Sequence, residues 1–212
     1  MSRGRPSDPS PRQLRSHGGW LCHHDPVLID IPAAPPRPAL RLRRWDSADA
    51  AALTRLERDE ALRRWTSFPA LADAADAGRW IEEQRRAWES GERFAFAVLE
   101  PDARLVGHVV LKVASPGDGT AEVGYWTAAH ARGRGVAPRA VAALTAWAVR
   151  EGRTRLELVH QADNAASCRV AVKCGYKLAA TLAPAPPAYP VEGHVHVWGG
   201  TRPARACPAD RP

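Results

Sequence analysis

The sequence contains few lysines and no concentrated run of positive charge. Only Lys112, Lys173 and Lys177 are lysines among its 30 Lys and Arg residues. The net charge of +7 and the isoelectric point near 9.8 are therefore carried by scattered arginines, with no basic run longer than two residues. Because nucleic-acid binding needs a clustered basic patch or stripe, we expect no specific nucleic-acid partner.

The chain also lacks the hydrophobic segments of membrane and exported proteins. No apolar run approaches the roughly 20 residues that a membrane-spanning helix needs. Arginines stand at positions 3, 5, 12 and 15, but no apolar core follows them, so the N-terminus does not resemble a secretory signal. We expect a cytoplasmic protein with reduced thiols and no membrane partner, either a monomer or a homodimer.

Cysteine spacing gives no sign of a metal site. The four cysteines are Cys22, Cys168, Cys174 and Cys207, and no two of them form a C-x-x-C pair. Cys22 is followed by two histidines, but no second pair of ligands follows at the spacing of a zinc site. The sequence therefore predicts no metal.

Proline and arginine dominate both ends of the chain. The stretch "IPAAPPRP" cannot continue a helix or a central strand. We therefore predict a disordered tail over residues 1–37, with a short ordered piece at Val27 to Ile31, and a second tail over 201–212. A single folded domain is expected over 38–200.

Hydrophobic periodicity predicts the order β-α-α-α-β-β-β-α-β-α-β-β within that domain. "ALRLRRW" alternates as a half-buried strand does, with Leu40, Leu42 and Trp45 as the candidate inward residues. Three strands then follow in quick succession with short connections, which favours antiparallel pairing. The crossover from "TAEVGYWT" through a helix to "RLELVHQ" makes the sheet mixed, and ligands are expected at the carboxyl ends of its strands.

Two glycines open the crossover helix in "HARGRGVAPRAVAALTAW". Glycine is favoured where the backbone needs a positive φ or a close approach. At a helix start, unsatisfied N–H groups and the positive end of the helix dipole favour an anion such as a phosphate. The stretch is neither a Walker loop nor a dinucleotide fingerprint, since both spacings are absent.

This stretch resembles the acyl-CoA motif R/Q-x-x-G-x-G/A of the GNAT acetyltransferase superfamily, here Arg132 to Ala137. A second block, "NAASCRVAVKCGYKLAATL", is similar to the N-x-x-S and G-F/Y elements of the subgroup that includes the bacterial N-acetyltransferases of ribosomal-protein amino termini. The resemblance implies an α/β (α+β) GNAT fold with a mostly antiparallel mixed sheet flanked by helices. It also implies an acyl-CoA cleft between the splayed fourth and fifth predicted strands.

The resemblance implies an N-acetyltransferase that uses acetyl-CoA as cosubstrate. Its acceptor would be a primary amine of a protein N-terminus or a small molecule, attacking the thioester directly. The alternative is an acyl-CoA-binding module without catalysis. The residues implied in cosubstrate binding are Trp126, Thr127, Arg132, Arg134, Gly135, Val136, Ala137, Asn164 and Ser167.

The same resemblance implies Glu122 as general base and Ser167 as proton donor to the departing thiolate. Glu122 is alternatively a solvated strand carboxylate, and Ser167 alternatively helps to cap its helix. Ala171 stands where many relatives have the tyrosine acid. The strand histidines are lining residues of the acceptor pocket or, as the favoured interpretation, satisfied structural side chains; they are His108, His160, His194 and His196.

Overall fold

The computed structural model describes residues 27–199, apart from residues 67, 114–116, 118 and 187–189. Residues 1–26 of the tail predicted over 1–37, and the whole of the tail predicted over 201–212, lie outside the described residues. So do Cys22 with the two histidines that follow it, and Cys207.

Eight strands and five α-helices make up the described part of the chain. The strands are β1 (Leu28–Ile31), β2 (Leu40–Arg44), β3 (Arg93–Leu99), β4 (Leu105–Lys112), β5 (Thr120–Thr127), β6 (Arg155–Gln161), β7 (Lys177–Leu182) and β8 (Gly193–Gly199). The helices are α1 (Ala50–Thr54), α2 (Glu60–Trp65), α3 (Ala74–Glu89), α4 (Val136–Arg150) and α5 (Ala165–Lys173). From β2 onwards this is the predicted order. None of these helices is both long enough and apolar enough to cross a bilayer.

All eight strands form one sheet in the order β1-β2-β3-β4-β5-β6-β8-β7. Neighbours are antiparallel except β5 and β6, which are parallel. Parallel neighbours need a crossover, and α4 supplies it. The mostly antiparallel mixed α/β sheet of the predicted fold is confirmed.

Strand β1 lies within the segment 1–37 that the sequence assigned to a tail, at the short ordered piece expected there. It pairs antiparallel with β2, from Leu28↔Arg43 to Ile31↔Leu40. The segment between the two strands is fixed to α4, since Arg139 donates to the carbonyls of Pro32 and Pro38 at 2.7 Å each. The sheet therefore begins before the predicted domain boundary at residue 38.

The sheet is buried on both faces. Phe94, Phe96 and Val98 of β3 pack in a cluster with α4, while the alternating Ala95 and Ala97 pack in a second cluster with α1, α2 and α3. Leu40 and Leu42 of β2 belong to the first cluster, as alternation predicts. Trp45 lies past the end of β2 and packs in the second cluster instead. It is three residues after Leu42, and an odd separation along an extended backbone directs a side chain to the opposite face.

Candidate active site

The sheet opens at its centre. Strands β5 and β6 are paired at Thr120↔Arg155, Ala121↔Leu156 and Glu122↔Glu157, and this parallel register ends there. Beyond it, β5 stays paired with β4 as far as Thr127, and β6 stays paired with β8 as far as Gln161. The facing edges of the two strands therefore leave a cleft at their carboxyl ends, where ligands bind in open α/β sheets.

Helix α4 begins beside this cleft at a glycine in the left-handed region. Gly135 is the N-cap residue, with φ at +77°, and no side chain caps the helix. Gly133 has φ at +75°. An L-residue with a β-carbon is strained in this conformation, so glycine is the fitting choice. The first N–H groups of α4 are left without a capping side chain, as an anion site requires.

A cavity of about 440 Å³ lies between α2, the start of α4 and α5. Most of the predicted cosubstrate-binding residues line it, namely Trp126, Thr127, Arg132, Gly135, Val136, Ala137, Asn164 and Ser167. Arg134 is not among the residues that line it. The structure thus brings together residues from three separate stretches of the sequence.

The two motif arginines are engaged with carboxylates. Arg132 forms an ion pair with Asp59, the N-cap residue of α2, and donates to the carbonyl of Thr127 at 3.2 Å. Arg134 forms an ion pair with the buried carboxylate of Glu100. The charge of Arg132 is thus compensated by Asp59, whereas Arg134 shares Glu100 with Arg104. Both guanidinium groups are held by carboxylates, which favours the backbone amides as the anion-binding groups of this loop.

Three further cations line the same cavity, and the sequence analysis missed all of them. They are Arg37, Arg169 and Lys173. A β-carbon added at Gly135 would lie 3.1 Å from Nε of Arg37, so this guanidinium lies directly against the loop. Arg37 falls in the segment assigned to the N-terminal tail. The sequence singled out Asn164 and Ser167 in α5 but none of its basic side chains, so no pattern indicated these cations.

A second cavity, of about 450 Å³, lies on the other side of β5 and contains Glu122. Its other charged residues are basic: Arg63, Arg64, Arg93 and Lys112. The carboxylate of Glu122 accepts a hydrogen bond from Nζ of Lys112 at 2.8 Å, and its side chain is 44% exposed. Glu122 is therefore a paired, accessible carboxylate on a cavity wall.

Ser167 lies where the two cavities meet. Its backbone N–H donates to Oδ1 of Asn164 at 3.1 Å, so Asn164 is the N-cap of α5. Its own side chain is not used in the cap: Oγ accepts a hydrogen bond from the hydroxyl of Tyr125 at 2.9 Å. The residues that line both cavities are Trp65, Thr66, Tyr125, Trp126 and Ser167.

Tyr125 is a functional candidate that the sequence analysis did not identify. Alternation placed it on the face opposite Glu122, and it packs there against the core cluster of α4. Burial raises the pKa of Tyr125 to about 12, an effect that the hydrogen bond to Ser167 opposes. The site thus contains a protonated phenol although residue 171 is alanine.

Aromatic rings surround His108 in the second cavity. Its ring is stacked on Trp126 with centroids 5.5 Å apart, and its Nδ1 accepts a hydrogen bond from Nε1 of Trp45 at 3.1 Å. Burial lowers the pKa of His108 to about 3. This histidine both lines the second cavity and has a partner of its own, whereas His160 and His196 each have a buried ring nitrogen without a partner among the described residues. For those two, the interpretation as satisfied structural histidines stays a prediction.

The fold is shared with solved acetyltransferases. RimJ of Mycobacterium smegmatis, in complex with a CoA-disulfide, is 19% identical with a TM-score of 0.70, over 82% of this chain and 86% of that chain. A putative ribosomal-protein-serine acetyltransferase from Vibrio cholerae is 26% identical with a TM-score of 0.65, over 81% and 97% of the two chains. The microcin C7 self-immunity acetyltransferase MccE, in complex with acetyl-CoA and AMP, is 20% identical with a TM-score of 0.68, over 76% and 92%.

The comparison with family models agrees with the geometry of the cleft and of the α4 loop. A comparison with curated proteins found no match. The model of the acetyltransferase (GNAT) domain matches residues 39–177, which include the cleft, the glycine loop and α5. The chain therefore belongs to the GNAT acetyltransferase family.

Proposed function

We propose that the protein transfers the acetyl group of acetyl-CoA to a primary amine, on a protein N-terminus or on a small molecule. The observation that carries this proposal is the wall that the two cavities share at Tyr125, Trp126 and Ser167. A donor bound at the α4 loop and an acceptor bound beside Glu122 would meet at this wall, which is the arrangement that direct transfer needs.

The cavity at α4 has the features of a CoA site. The amides of residues 134–137 are assigned to the pyrophosphate, because they lie at a helix start that no side chain caps. Arg37, Arg169 and Lys173 supply positive charge beside them. The open edges of β5 and β6 offer backbone groups to the amide-containing pantetheine arm, with Trp126, Thr127 and Asn164 along its course.

Acetyl-CoA, when bound, supplies an activated acyl carbon and a thiolate leaving group. The acceptor amine must lose a proton before or during attack, and Glu122 is assigned to accept that proton through a water molecule. In the second cavity, which is taken here as the acceptor cavity, Arg93 has no carboxylate partner among the described residues, whereas Arg63, Arg64 and Lys112 are each paired with one. The charge of Arg93 disfavours a further positive charge and so favours the neutral, nucleophilic form of the amine. A strand N–H near Trp126 or Thr127 is assigned to the oxyanion of the attacked carbonyl.

Ser167 is assigned to protonate the thiolate. Its Oγ accepts a hydrogen bond from the Tyr125 hydroxyl, which leaves the hydroxyl proton of Ser167 free to be donated to another group. As the C–N bond forms and the C–S bond breaks, Ser167 would give its proton to sulfur and recover one from Tyr125. Tyr125 would in turn be reprotonated from solvent, to which Glu122 releases the proton that it took from the amine. The pair thus fills the place of the tyrosine acid that is missing at Ala171.

The Vibrio cholerae protein, a putative ribosomal-protein-serine acetyltransferase, points to a ribosomal protein as the acceptor of that enzyme. A protein N-terminus is therefore the first acceptor class to test here. The assay measures thiol release from acetyl-CoA in the presence of a panel of amino-terminal peptides and small amines. We expect turnover with at least one of them. Absence of thiol release with every acceptor, despite measured CoA binding, would favour the alternative of a binding module without catalysis.

Two glycine variants test the placement of the donor. Gly135 and Gly152 both have positive φ, and they lie at opposite ends of α4. Gly135→Asp adds a carboxylate at the pyrophosphate position and should abolish measurable CoA binding. Gly152→Asp introduces the same charge and a similar backbone strain outside the cavity, and should leave CoA affinity within about 2-fold. Equal affinities in the two variants would place the cosubstrate elsewhere.

Glu122→Gln tests the acceptor side. The variant keeps the size of the side chain and a hydrogen-bond acceptor for Lys112, so CoA binding should persist. We expect kcat to fall by about 100-fold or more, the usual effect of losing a general base. Unchanged kcat would identify Glu122 as a solvated strand carboxylate.

A further inference from the structure

Three histidines and a cysteine meet beneath α5, away from the α4 loop. His160 of β6 is paired directly with His194 of β8 in the antiparallel register, so both side chains lie on the same face of the sheet. Helix α5 brings Cys168 to this face, with its Sγ at 3.4 Å from Nδ1 of His194. His196 completes the group, with its ring stacked on that of His160 at 5.1 Å.

The ligand atoms are close enough to share one ion. One ring nitrogen each of His160 and His194 and the sulfur of Cys168 all lie within 4.8 Å of one another. A tetrahedral zinc ion, with Zn–S near 2.3 Å and Zn–N near 2.0–2.1 Å, would hold S and N about 3.6 Å apart. The separation of 3.4 Å between Cys168 and His194 is compatible with that value.

The hydrogen bonding of His160 is of the kind found in metal ligands. Its Nδ1 lies 2.7 Å from the carbonyl of Gln161, which fixes the proton on that nitrogen. Its Nε2 is then a lone-pair acceptor, and this atom is buried with no hydrogen-bond partner among the described residues. Metal-bound histidines characteristically donate the other ring N–H to such a carbonyl. A buried polar atom almost always has a partner, so Nε2 of His160 is free to take one from outside the described protein.

We propose that His160, Cys168 and His194 bind one divalent transition-metal ion, zinc in the first place. Imidazole and thiolate are the ligands that zinc prefers, and three protein ligands leave a fourth position for water or another group. The spacing of cysteines in the sequence predicts no metal, because these ligands come from three elements that only the fold brings together. The site borders the acceptor cavity, which His160 also lines.

The test uses the full chain without a histidine tag, freed of metal by dialysis against a chelator and then titrated with Co²⁺. We expect one equivalent of Co²⁺ to bind, with visible bands of a four-coordinate ion and a thiolate-to-cobalt charge-transfer band. Zinc should displace it with the same stoichiometry. Absence of the charge-transfer band, or binding only in large excess, would show that water alone occupies the cluster and would overturn the proposal.

Variants assign the ligands. Cys168→Ser should remove the charge-transfer band, and His194→Gln should weaken zinc binding by more than about 100-fold, beyond the 10- to 100-fold effect of outer-shell partners. Cys174→Ser is the matched control: it lies on the same segment, but its thiol donates to the carbonyl of Pro138. Cys22 and Cys207 are replaced by Ser in a second control. Both controls should bind like the unmodified chain, and a band that survives Cys168→Ser and disappears in either control would overturn the proposal.

Protein stability separates loss of a ligand from loss of the fold. Zinc should raise the melting temperature of the unmodified chain and of both controls, since it binds the folded state. It should not raise that of Cys168→Ser or His194→Gln. An equal rise in all of them would show that zinc binds elsewhere. The readouts are independent of acetyl transfer, so failure here leaves the proposed function untouched.

Discussion

The hydroxyl of Tyr125 donates to Oγ of Ser167 at 2.9 Å, across the wall that the two cavities share. Tyr125 in β5 and Ser167 in α5 are 42 residues apart in the sequence. They meet beside the cleft, where β5 and β6 are no longer paired. The direction of the bond matters, because it leaves the serine proton available. This pair is the basis of the first prediction.

Ser167→Ala should lower kcat by about 100-fold, the lower range for loss of a general acid, with little change in KM for acetyl-CoA. Tyr125→Phe should lower kcat by about 5- to 10-fold, as expected for one supporting hydrogen bond. The matched control is Tyr176→Phe, which removes a buried hydroxyl pair with Thr145 outside the cavities. An equal loss of kcat in the two tyrosine variants would mean that packing, not proton supply, is responsible.

The pH dependence follows from the same residue. Because burial raises the pKa of Tyr125 to about 12, its hydroxyl stays protonated through about pH 10. Ionisation of Tyr125 should therefore not lower kcat between about pH 8 and pH 10, and the pH profiles of the unmodified enzyme and of Tyr125→Phe should have the same shape in this range. Such a fall, present only when the phenol is there, would contradict this assignment.

Arg37 should contribute to CoA affinity although it precedes the matched domain. Arg37→Ala removes a cation that lies against Gly135 and should raise Kd for CoA by about 10-fold, the effect of one charge-assisted contact. The loss should shrink as salt concentration rises. Arg41→Ala removes an exposed arginine paired with Asp30 on the neighbouring strand and should leave Kd unchanged. Equal Kd values for the two variants would exclude Arg37 from the site.

The acceptor cavity should favour amines that carry a nearby negative charge. Among its four cations, Arg93 has only the neutral Gln84 side chain as a hydrogen-bond partner in the described structure, at 3.5 Å. Arg93→Gln should raise KM for peptides with an acidic second residue by about 10-fold and should barely affect neutral peptides. Arg86→Gln, on the exposed side of α3, is the control. Equal KM for acidic and neutral peptides in the unmodified enzyme would contradict the prediction.

His108 should make the fold sensitive to acid. Its pKa is about 3 in the folded protein, against an unperturbed value of 6.5, because burial disfavours the charged ring. Between those values the unfolded state binds a proton that the folded state does not. The free energy of unfolding should therefore fall as pH drops through this window, by about 1.4 kcal/mol per pH unit.

His108→Gln retains an acceptor for Trp45 and removes the titration, so its unfolding free energy should depend less on pH below about 6.5. Urea unfolding at about pH 5 and pH 7 measures the difference. The exposed His130→Gln should keep the acid sensitivity of the unmodified chain. Parallel pH dependence in His108→Gln and the unmodified chain would show that other groups are responsible.

Hydrophobic periodicity predicts most of the fold from the sequence. Local hydrophobic patterns give the element order from β2 to β8, and the glycines before α4 give the left-handed start of that helix. Strand β1 was only a possibility, because a four-residue strand beside a Pro-rich segment carries too little periodicity of its own. It is held in place by pairing with β2 and by the hydrogen bonds from Arg139 to the carbonyls of Pro32 and Pro38.

The sequence predicted the candidate site residues whose backbone conformation is set locally. It did not predict those whose place in the site depends on contacts with distant parts of the chain. Gly135 is an example of the first, since its conformation and its place at a helix start follow from the local sequence. Arg37, Tyr125 and the cluster around Cys168 are examples of the second. Each depends on a register or on a helix crossing that joins parts of the chain more than 20 residues apart.

The boundary between β5 and β6, which only three residue pairs join, separates the sheet into two parts. The same boundary separates the earlier strands of the sequence from the later ones. In the described structure, every strand before α4 lies on one side of this seam and every strand after it lies on the other. A ligand in the cleft would therefore contact two consecutive lengths of polypeptide, which are linked across the gap by one helix. Such a ligand would complete the unpaired edge of each half and so take the place of a strand that the described chain does not provide.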